Sequence, residues 1–283
     1  MDLASRLRIT CAAGVLITAA CAPAGAQSQD IDALVQQGLR TAQAQMTVEA
    51  GAASGSPAPA ASGNTFAFGD FGISISFTYP AGFAEGALAE SLPGMAIQDP
   101  GDPEYPEHAR ILLTGYAGEG RSNIASGIRV FRADEVNTMD PAVIASLKAV
   151  LAGTSEDRLD FPRIPAAGRT VDAQAEPVDF VNGHGYRFLA QGSFDASTLR
   201  STRLYYIYQG LTADEMYLVT VLLGTDAPFV ADLATGEPIM SQEIGDAYLI
   251  DLNQRINAAQ AADFSPSLGT LDGLVQSLNI IEQ

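Results

Sequence analysis

The sequence predicts an α+β fold in which helices cover both faces of an antiparallel sheet, an α-β-α sandwich. The first observation is at residues 177–224, where four short runs rich in β-branched and aromatic residues are separated by turn residues. The second is the order of the patterns along the chain: strands, helix, strands, then helices. Because strands and helices do not alternate one by one, this order favours an antiparallel meander over a doubly wound parallel sheet.

The central meander is predicted from its turns. Asn182-Gly183 predicts a two-residue hairpin turn, since both residue types accept positive φ angles. The strands that follow are predicted at residues 186–191, 202–208 and 216–223, with a turn at 210–214 between the last two. The run at 216–223 is apolar on both faces, which is typical of a strand covered on both sides.

Three further strands are predicted before the meander. Residues 71–79 alternate without a break between large apolar residues and small or polar ones, so they predict a half-buried strand that Pro80 ends. Residues 109–116 and 127–131 predict the other two strands.

Helices are predicted on either side of the meander. Asp140 before Pro141 is typical of a helix start, and Gly153 ends that helix. Apolar residues at helical spacing predict an amphipathic helix at residues 241–262, and a last helix follows Pro266.

The N-terminus predicts export. Arg6 and Arg8 precede an apolar stretch, which ends in the small residues Ala24-Gly25-Ala26. This pattern is typical of a signal peptide at residues 1–26, cleaved after Ala26, and it predicts a periplasmic or secreted protein.

A lipoprotein signal is the alternative for the same segment. Residues 18–21 resemble the pattern in which a cysteine, here Cys21, is lipidated and becomes the first residue. The protein would then be anchored to the membrane, and lipidation at Cys21 is the only membrane contact that the sequence predicts. The other cysteine, Cys11, also lies in the leader, so cleavage after Ala26 leaves a chain without disulfides.

Three segments follow the leader. Residues 27–50 predict a short helix that begins at Asp30. Residues 51–64 contain Gly, Ser, Pro and Ala without charge, which is typical of a flexible linker. The globular domain is then predicted at residues 65–283.

The composition limits the classes of partner. The formal net charge is −18, and Lys148 is the single lysine of the chain. Nucleic acids and anionic membrane surfaces are recognised by clustered Lys and Arg, so the sequence predicts no nucleic-acid partner and no electrostatic membrane docking.

The order of elements resembles the PsbP-like (PsbP / DcrB-like) fold family. The likeness is carried by residues 77–83, 181–187, 204–208 and 216–221, followed by a C-terminal helix. The resemblance covers about residues 65–283. It implies an antiparallel sheet between helices and a non-enzymatic role in binding or assembly.

The sequence singles out no catalytic, cofactor-binding or metal-binding residue. Its two histidines are His108 and His184, and no nucleophile elbow, phosphate loop, dinucleotide fingerprint or zinc-protease motif is present. His184 lies beside the predicted hairpin turn, where a solvated residue is expected.

Two groups of residues have competing interpretations. Asp99, Asp102, Glu104 and Glu107 lie in the loop at residues 99–108, which we interpret as a solvated acidic loop, with a calcium site as the alternative. The tyrosines of the meander are interpreted as packing under helices with their hydroxyls at the rim, with a binding groove as the alternative. They are Tyr205, Tyr206, Tyr208 and Tyr217.

Taken together, these patterns favour an exported, non-enzymatic binding or assembly protein of the bacterial cell envelope. Its partner would be an envelope protein or a small ligand. The alternative is a carboxylate-based hydrolase or other enzyme in the periplasm, which would need two or more acids buried in a pocket.

Overall fold

The computed structural model describes residues 62–94, 105–118, 126–156, 158, 161, 168–193, 204–230 and 242–283. All of them belong to the compact unit Pro57–Gln283. The predicted leader at 1–26, the helix at 27–50 and most of the predicted linker lie outside the described residues. Residues 62–64, the end of the predicted linker, belong to the first strand.

The strands are β1 (Ser62–Phe68), β2 (Ile73–Tyr79), β3 (Gly86–Leu92), β4 (His108–Thr114), β5 (Gly127–Arg132), β6 (Gly168–Phe180), β7 (Gly183–Ser193), β8 (Leu204–Thr212), β9 (Tyr217–Thr225) and β10 (Asn279–Glu282). The α-helices are α1 (Ala133–Met139), α2 (Pro141–Leu151), α3 (Gln242–Ala258) and α4 (Leu268–Gln276). Short 3-10 turns lie at Gly69–Phe71, Pro228–Val230 and Ala261–Asp263.

The main sheet is antiparallel and has seven strands in the order β3-β4-β5-β9-β8-β7-β6. The predicted meander is confirmed, because β6, β7, β8 and β9 are neighbours in chain order. Strand β9 then pairs with β5, which joins the meander to the earlier strands. Every residue of β8 and β9 is buried, as the sequence predicts for strands covered on both faces.

A second, three-stranded sheet has the order β1-β2-β10. The alternation predicted around residues 71–79 is confirmed in β2, where Ile73, Ile75, Phe77 and Tyr79 are buried. The strand begins at Ile73 because Gly72 has a left-handed φ of 62°, which ends the 3-10 turn before it. At the other edge of β2, the C-terminal strand β10 pairs antiparallel with it.

Two hydrophobic clusters lie on the two faces of the main sheet, since alternate residues of each strand point to opposite sides. The first cluster contains Tyr206 and Tyr208 of β8 with side chains of β2, α3 and α4. The second contains Tyr205 and Ile207 of the same strand with side chains of α1 and α2. We call them the α3/α4 face and the α1/α2 face.

The helix ends follow capping rules. Asp140 accepts a hydrogen bond from Ala142 N at 3.1 Å with Pro141 in the first turn, which confirms the predicted start of α2. Ser267 caps α4 in the same way, accepting from Thr270 N at 3.2 Å. The helices predicted near 241–262 and after Pro266 are confirmed as α3 and α4.

The predicted Asn182-Gly183 turn is displaced by one residue. The two strands join at the pair Phe180 and Gly183, so Val181 and Asn182 form the turn. Neither Asn182 nor Gly183 has positive φ. The Asn182 side chain instead accepts from Ile280 N at 3.1 Å and donates to the Ile280 carbonyl, which ties the turn to β10.

The turn predicted at 210–214 also begins later, because β8 continues to Thr212. Gly210 stays in the strand because it faces Gly185 across β7, and a Cβ at either glycine would overlap the Tyr208 hydroxyl. The Tyr208 ring therefore lies over this glycine pair, a packing device of natural sheets. In the turn itself, Asp214 accepts hydrogen bonds from the Thr212 hydroxyl at 2.6 Å and from Met216 N at 3.0 Å.

Among the helices of the described ranges, none is long and apolar enough to cross a membrane.

Candidate functional site

A line of polar side chains crosses the α1/α2 face of the main sheet. The residues are directly opposed from strand to strand, and opposed residues of an antiparallel pair point to the same face. The line runs over six strands, from β3 through β4, β5, β9 and β8 to β7. We call it the polar row: Glu90, Arg110, Arg129, Thr220, Gln209 and Tyr186.

The two ends of the polar row are hydrogen bonded. At the β7 end, Tyr186 donates to the Gln209 amide oxygen at 3.3 Å, and Gln209 donates to the Phe161 carbonyl at 3.2 Å. At the β3 end, Arg110 donates from Nε to a carboxylate oxygen of Glu90 at 2.5 Å. The Arg110 and Glu90 side chains are 25% and 38% exposed, so this end of the row faces solvent.

The centre of the polar row has no such partners. Arg129 is 8% exposed, and within the described part of the chain its buried Nη1 has no hydrogen-bond partner. The hydroxyl of Thr220, opposite it on β9, is buried and equally unbonded there. Burial lowers the pKa of the Arg129 guanidinium, and the neighbouring charge of Arg110 lowers it further. Glu90 and Tyr105 act in the other direction. A guanidinium stays protonated in proteins, so among the described residues the centre holds a buried positive charge whose Nη1 has no hydrogen-bond partner.

An aromatic cluster adjoins the centre of the row, two register positions further along β4 and β5, at the next pair that points to the same face. His108 stacks on Phe131 with ring centroids 4.6 Å apart, and Phe131 meets Phe161 edge-on at 5.0 Å. Tyr105 contacts both His108 and Phe161. Nδ1 of His108 donates to the Pro106 carbonyl at 3.0 Å. Desolvation lowers the pKa of this imidazole, and the charges of Arg129 and Arg110 act in the same direction, whereas the bond to the Pro106 carbonyl opposes them. The net lowering favours the neutral form at neutral pH.

The α3/α4 face carries a different polar group, centred on Arg187. Its Nη2 donates to Glu176 at 2.9 Å, its Nε lies 3.2 Å from Asp272, and its Nη1 donates to the Gln174 carbonyl. Tyr206 donates to the same Asp272 carboxylate at 2.8 Å. Every one of these contacts joins parts of the fold, so we assign this group to structure.

Burial raises the pKa of Asp272, although Arg187 and the Tyr206 hydroxyl act against it. Burial also raises the pKa of Tyr206 well above its usual value. Gln174 extends the network, because it has a positive φ of 54° at an irregular point of β6 and its amide donates to the Ile256 carbonyl at 2.8 Å. The network thereby joins β6, β7 and β8 to the end of α3 and to the middle of α4.

The predicted calcium loop lies mostly beyond the described residues. Asp99, Asp102 and Glu104 are outside them, and Glu107 is exposed. Within the ranges that the structure describes, no group of three or more His, Cys, Asp or Glu side chains is placed to hold a metal. The calcium site therefore stays a prediction.

The meander tyrosines pack into the two clusters, as the preferred interpretation expects. The exposed fraction is 7% for Tyr205, 0% for Tyr206 and Tyr208 and 4% for Tyr217, so the alternative of a tyrosine-lined groove is wrong. The expectation that their hydroxyls lie at the rim is wrong for Tyr208, whose hydroxyl is buried. His184 is exposed beside the hairpin turn, as predicted.

Sequence reasoning did not find the polar row. A signal for it exists, since Arg110 and Arg129 each interrupt an apolar strand. Their convergence with Thr220 depends on the pairing of β5 with β9, which joins segments about 90 residues apart and which no local pattern specifies.

No protein-family model matches this chain, and no curated protein and no solved structure matches it.

Proposed function

We propose that the chain is an exported binding protein that recognises its ligand through the centre of the polar row. The observation that carries the proposal is the buried Arg129, whose Nη1 has no hydrogen-bond partner within the described residues. A buried charge without a partner is costly, and it persists where a bound group compensates it. The neighbouring unbonded hydroxyl of Thr220 supports the same site.

The cellular location in this proposal is inferred from the sequence. The proposal includes a signal peptide at residues 1–26, the α-β-α sandwich of the PsbP-like fold, and a periplasmic or secreted protein. Anchoring through a lipidated Cys21 is the alternative. The mass of the N-terminal peptide of the exported protein tests this, because a peptide that starts at Gln27 excludes the lipid and one that starts at a modified Cys21 establishes it.

Binding is favoured over hydrolysis by the kind of charge that is buried. Among the described residues, the buried side chains of the types Asp, Glu, Lys, Arg and His are His108, Arg129 and Arg187, and none of them is a carboxylate. A carboxylate-based enzyme needs a positioned acid and base in its site. The periplasmic hydrolase alternative thus has no supporting observation in this part of the chain.

A thermal-shift screen of small molecules tests the proposal. The protein is purified from cells that express the full chain, alongside Arg129→Met and the control Arg132→Gln. Arg132 lies on the same strand but on the opposite face, and its removal takes away the same charge. We expect compounds that stabilise the wild type and Arg132→Gln but not Arg129→Met. A screen in which every stabilising compound also stabilises Arg129→Met would overturn the proposal.

A further inference from the structure

The charges of the polar row determine the charge of a ligand that could bind there. Arg110 and Arg129 are directly opposed on β4 and β5, and the one carboxylate of the row, Glu90, already pairs with Arg110. The nearby His108 is buried, and burial favours its neutral form, although its bond to the Pro106 carbonyl acts in the other direction. The row therefore carries one surplus positive charge, located at Arg129, and a single negative charge balances it.

The unbonded donors specify the shape of the anion. A guanidinium presents its N–H groups as a planar fork that matches the two oxygens of a carboxylate. The Thr220 hydroxyl lies directly across the β5–β9 pair from Arg129 and is a second unused donor. One carboxylate would satisfy both groups, whereas a dianionic phosphate or sulfate would leave a surplus negative charge in a buried place.

The surroundings specify the rest of the ligand. The side chains that flank Arg129 and Thr220 on the same face are apolar, among them Phe131, Leu218 and Leu222. A polar or charged body would be desolvated there without partners, so the part attached to the carboxylate must be apolar. The half-exposed Glu90–Arg110 end, beside the edge strand β3, gives the direction of approach.

We infer that the polar row binds a small apolar monocarboxylate, paired through both oxygens to the Arg129 guanidinium and hydrogen bonded by the Thr220 hydroxyl. This inference rests on the proposed function and adds the chemical class of the ligand.

The test is a titration by calorimetry and NMR in buffer free of carboxylates at constant ionic strength. The probes are butyrate and benzoate, with succinate, phosphate and sulfate as comparison anions. We expect butyrate and benzoate to bind and to shift the Arg129 Nε–H signal, with succinate at least about tenfold weaker. Arg129→Gln should abolish binding, Arg129→Lys should weaken it because the fork is lost, and Thr220→Val should weaken it about tenfold. Arg132→Gln should bind as the wild type does.

The outcomes separate this inference from the proposed function. If phosphate, sulfate or a neutral compound from the screen binds in an Arg129-dependent way and the monocarboxylates do not, the ligand class is wrong and the binding site stands. If butyrate binds to Arg129→Gln and to Arg129→Lys as tightly as it binds to the wild type, the inference is overturned. If no probe and no screened compound depends on Arg129, both the inference and the proposed function fall. Circular dichroism shows whether each variant is folded, and Arg129→Lys retains the charge if Arg129→Gln does not fold.

Discussion

Arg129 and Arg187 lie on opposite faces of one sheet and are 8% and 2% exposed, yet their surroundings differ in almost every respect. Arg187 reaches the carboxylates of Glu176 and Asp272 and a backbone carbonyl. Arg129 faces another arginine and an unbonded hydroxyl. A buried charge that contributes to the fold is surrounded by oxygens from the fold. Under the proposed function, the Arg129 Nη1, which has no partner among the described residues, is the group that a ligand would satisfy.

The comparison predicts opposite effects when each charge is removed, and the largest belongs to Arg187. Arg187→Met leaves the Asp272 carboxylate, 18% exposed, without its cation and removes the tie between α4 and the sheet. Breaking one partner of such a buried pair costs about 3–5 kcal/mol. Urea denaturation should show a loss of this size in the free energy of unfolding. A loss below about 1 kcal/mol would mean that the Arg187 network is not structural, and the contrast with Arg129 would disappear.

The packing of the α3/α4 face provides the next effect. Gly210→Ala places a methyl group against the Tyr208 hydroxyl and 2.8 Å from the His184 carbonyl. Overpacking of this kind costs about 1–3 kcal/mol. Gly269→Ala is the matched control, because the added methyl meets nothing within 4 Å and lies in a helix. Differential scanning calorimetry should show a lower Tm for Gly210→Ala alone. If Gly210→Ala and the wild type have equal Tm values, the glycine pair is not needed for the tyrosine packing.

On the α1/α2 face, removal of the Arg129 charge should raise the free energy of unfolding instead of lowering it. Arg129→Met replaces a buried cation that has no described partner with an apolar side chain of similar length. Replacing a buried ion pair with apolar residues is neutral or stabilising by about 1–4 kcal/mol, and for this single buried cation we expect about 1 kcal/mol of stabilisation without ligand. The measurement is the same urea denaturation. Destabilisation by more than about 2 kcal/mol would show that Arg129 already has a structural role.

The smallest effect is a pH dependence that originates on the α1/α2 face. The folded pKa of His108 lies below its unfolded value of 6.5, chiefly because burial disfavours the charged form. The unfolded chain therefore binds more protons, so this residue contributes stability above pH 6.5 that is lost as the pH falls through the folded pKa. His108→Gln should flatten the change in Tm between pH 7.5 and about pH 5, whereas His184→Gln at the exposed turn should not. A wild-type Tm that rises on acidification in this window, with no change in His108→Gln, would contradict this assignment.

The sequence predicts those elements whose signals are local. Asp140, Pro141 and Gly153 specify α2 without help from the rest of the chain, and the alternation in β2 specifies its buried face. The start of β6 at Gly168 is not predictable in this way, since the strand is irregular at Gln174, where its partners are carbonyls near the end of α3. Helix α1 was also missed because Arg132 at its N-cap makes no capping hydrogen bond.

The candidate site escaped prediction for a related reason. Each member of the polar row is an ordinary strand residue, and only the register across six strands brings the members together. Whether Arg129 has a hydrogen-bond partner depends on the folded arrangement, because nothing in the sequence of residues 127–132 distinguishes a paired arginine from an unpaired one. For the same reason, the sequence does not distinguish Arg187 from Arg129. The two arginines differ only once the structure places them on opposite faces of the sheet.

The pairing of β2 with β10 has a consequence for folding while the protein is being synthesised. The Thr78 amide donates to Ser277, 199 positions later, at 2.9 Å, so the smaller sheet needs both ends of the domain. During synthesis one edge of β2 stays open until residues 279–282 have been made, and open edges recruit other chains. Completion of the small sheet is therefore a late event in folding, and a chain that stops short of β10 leaves a strand edge exposed.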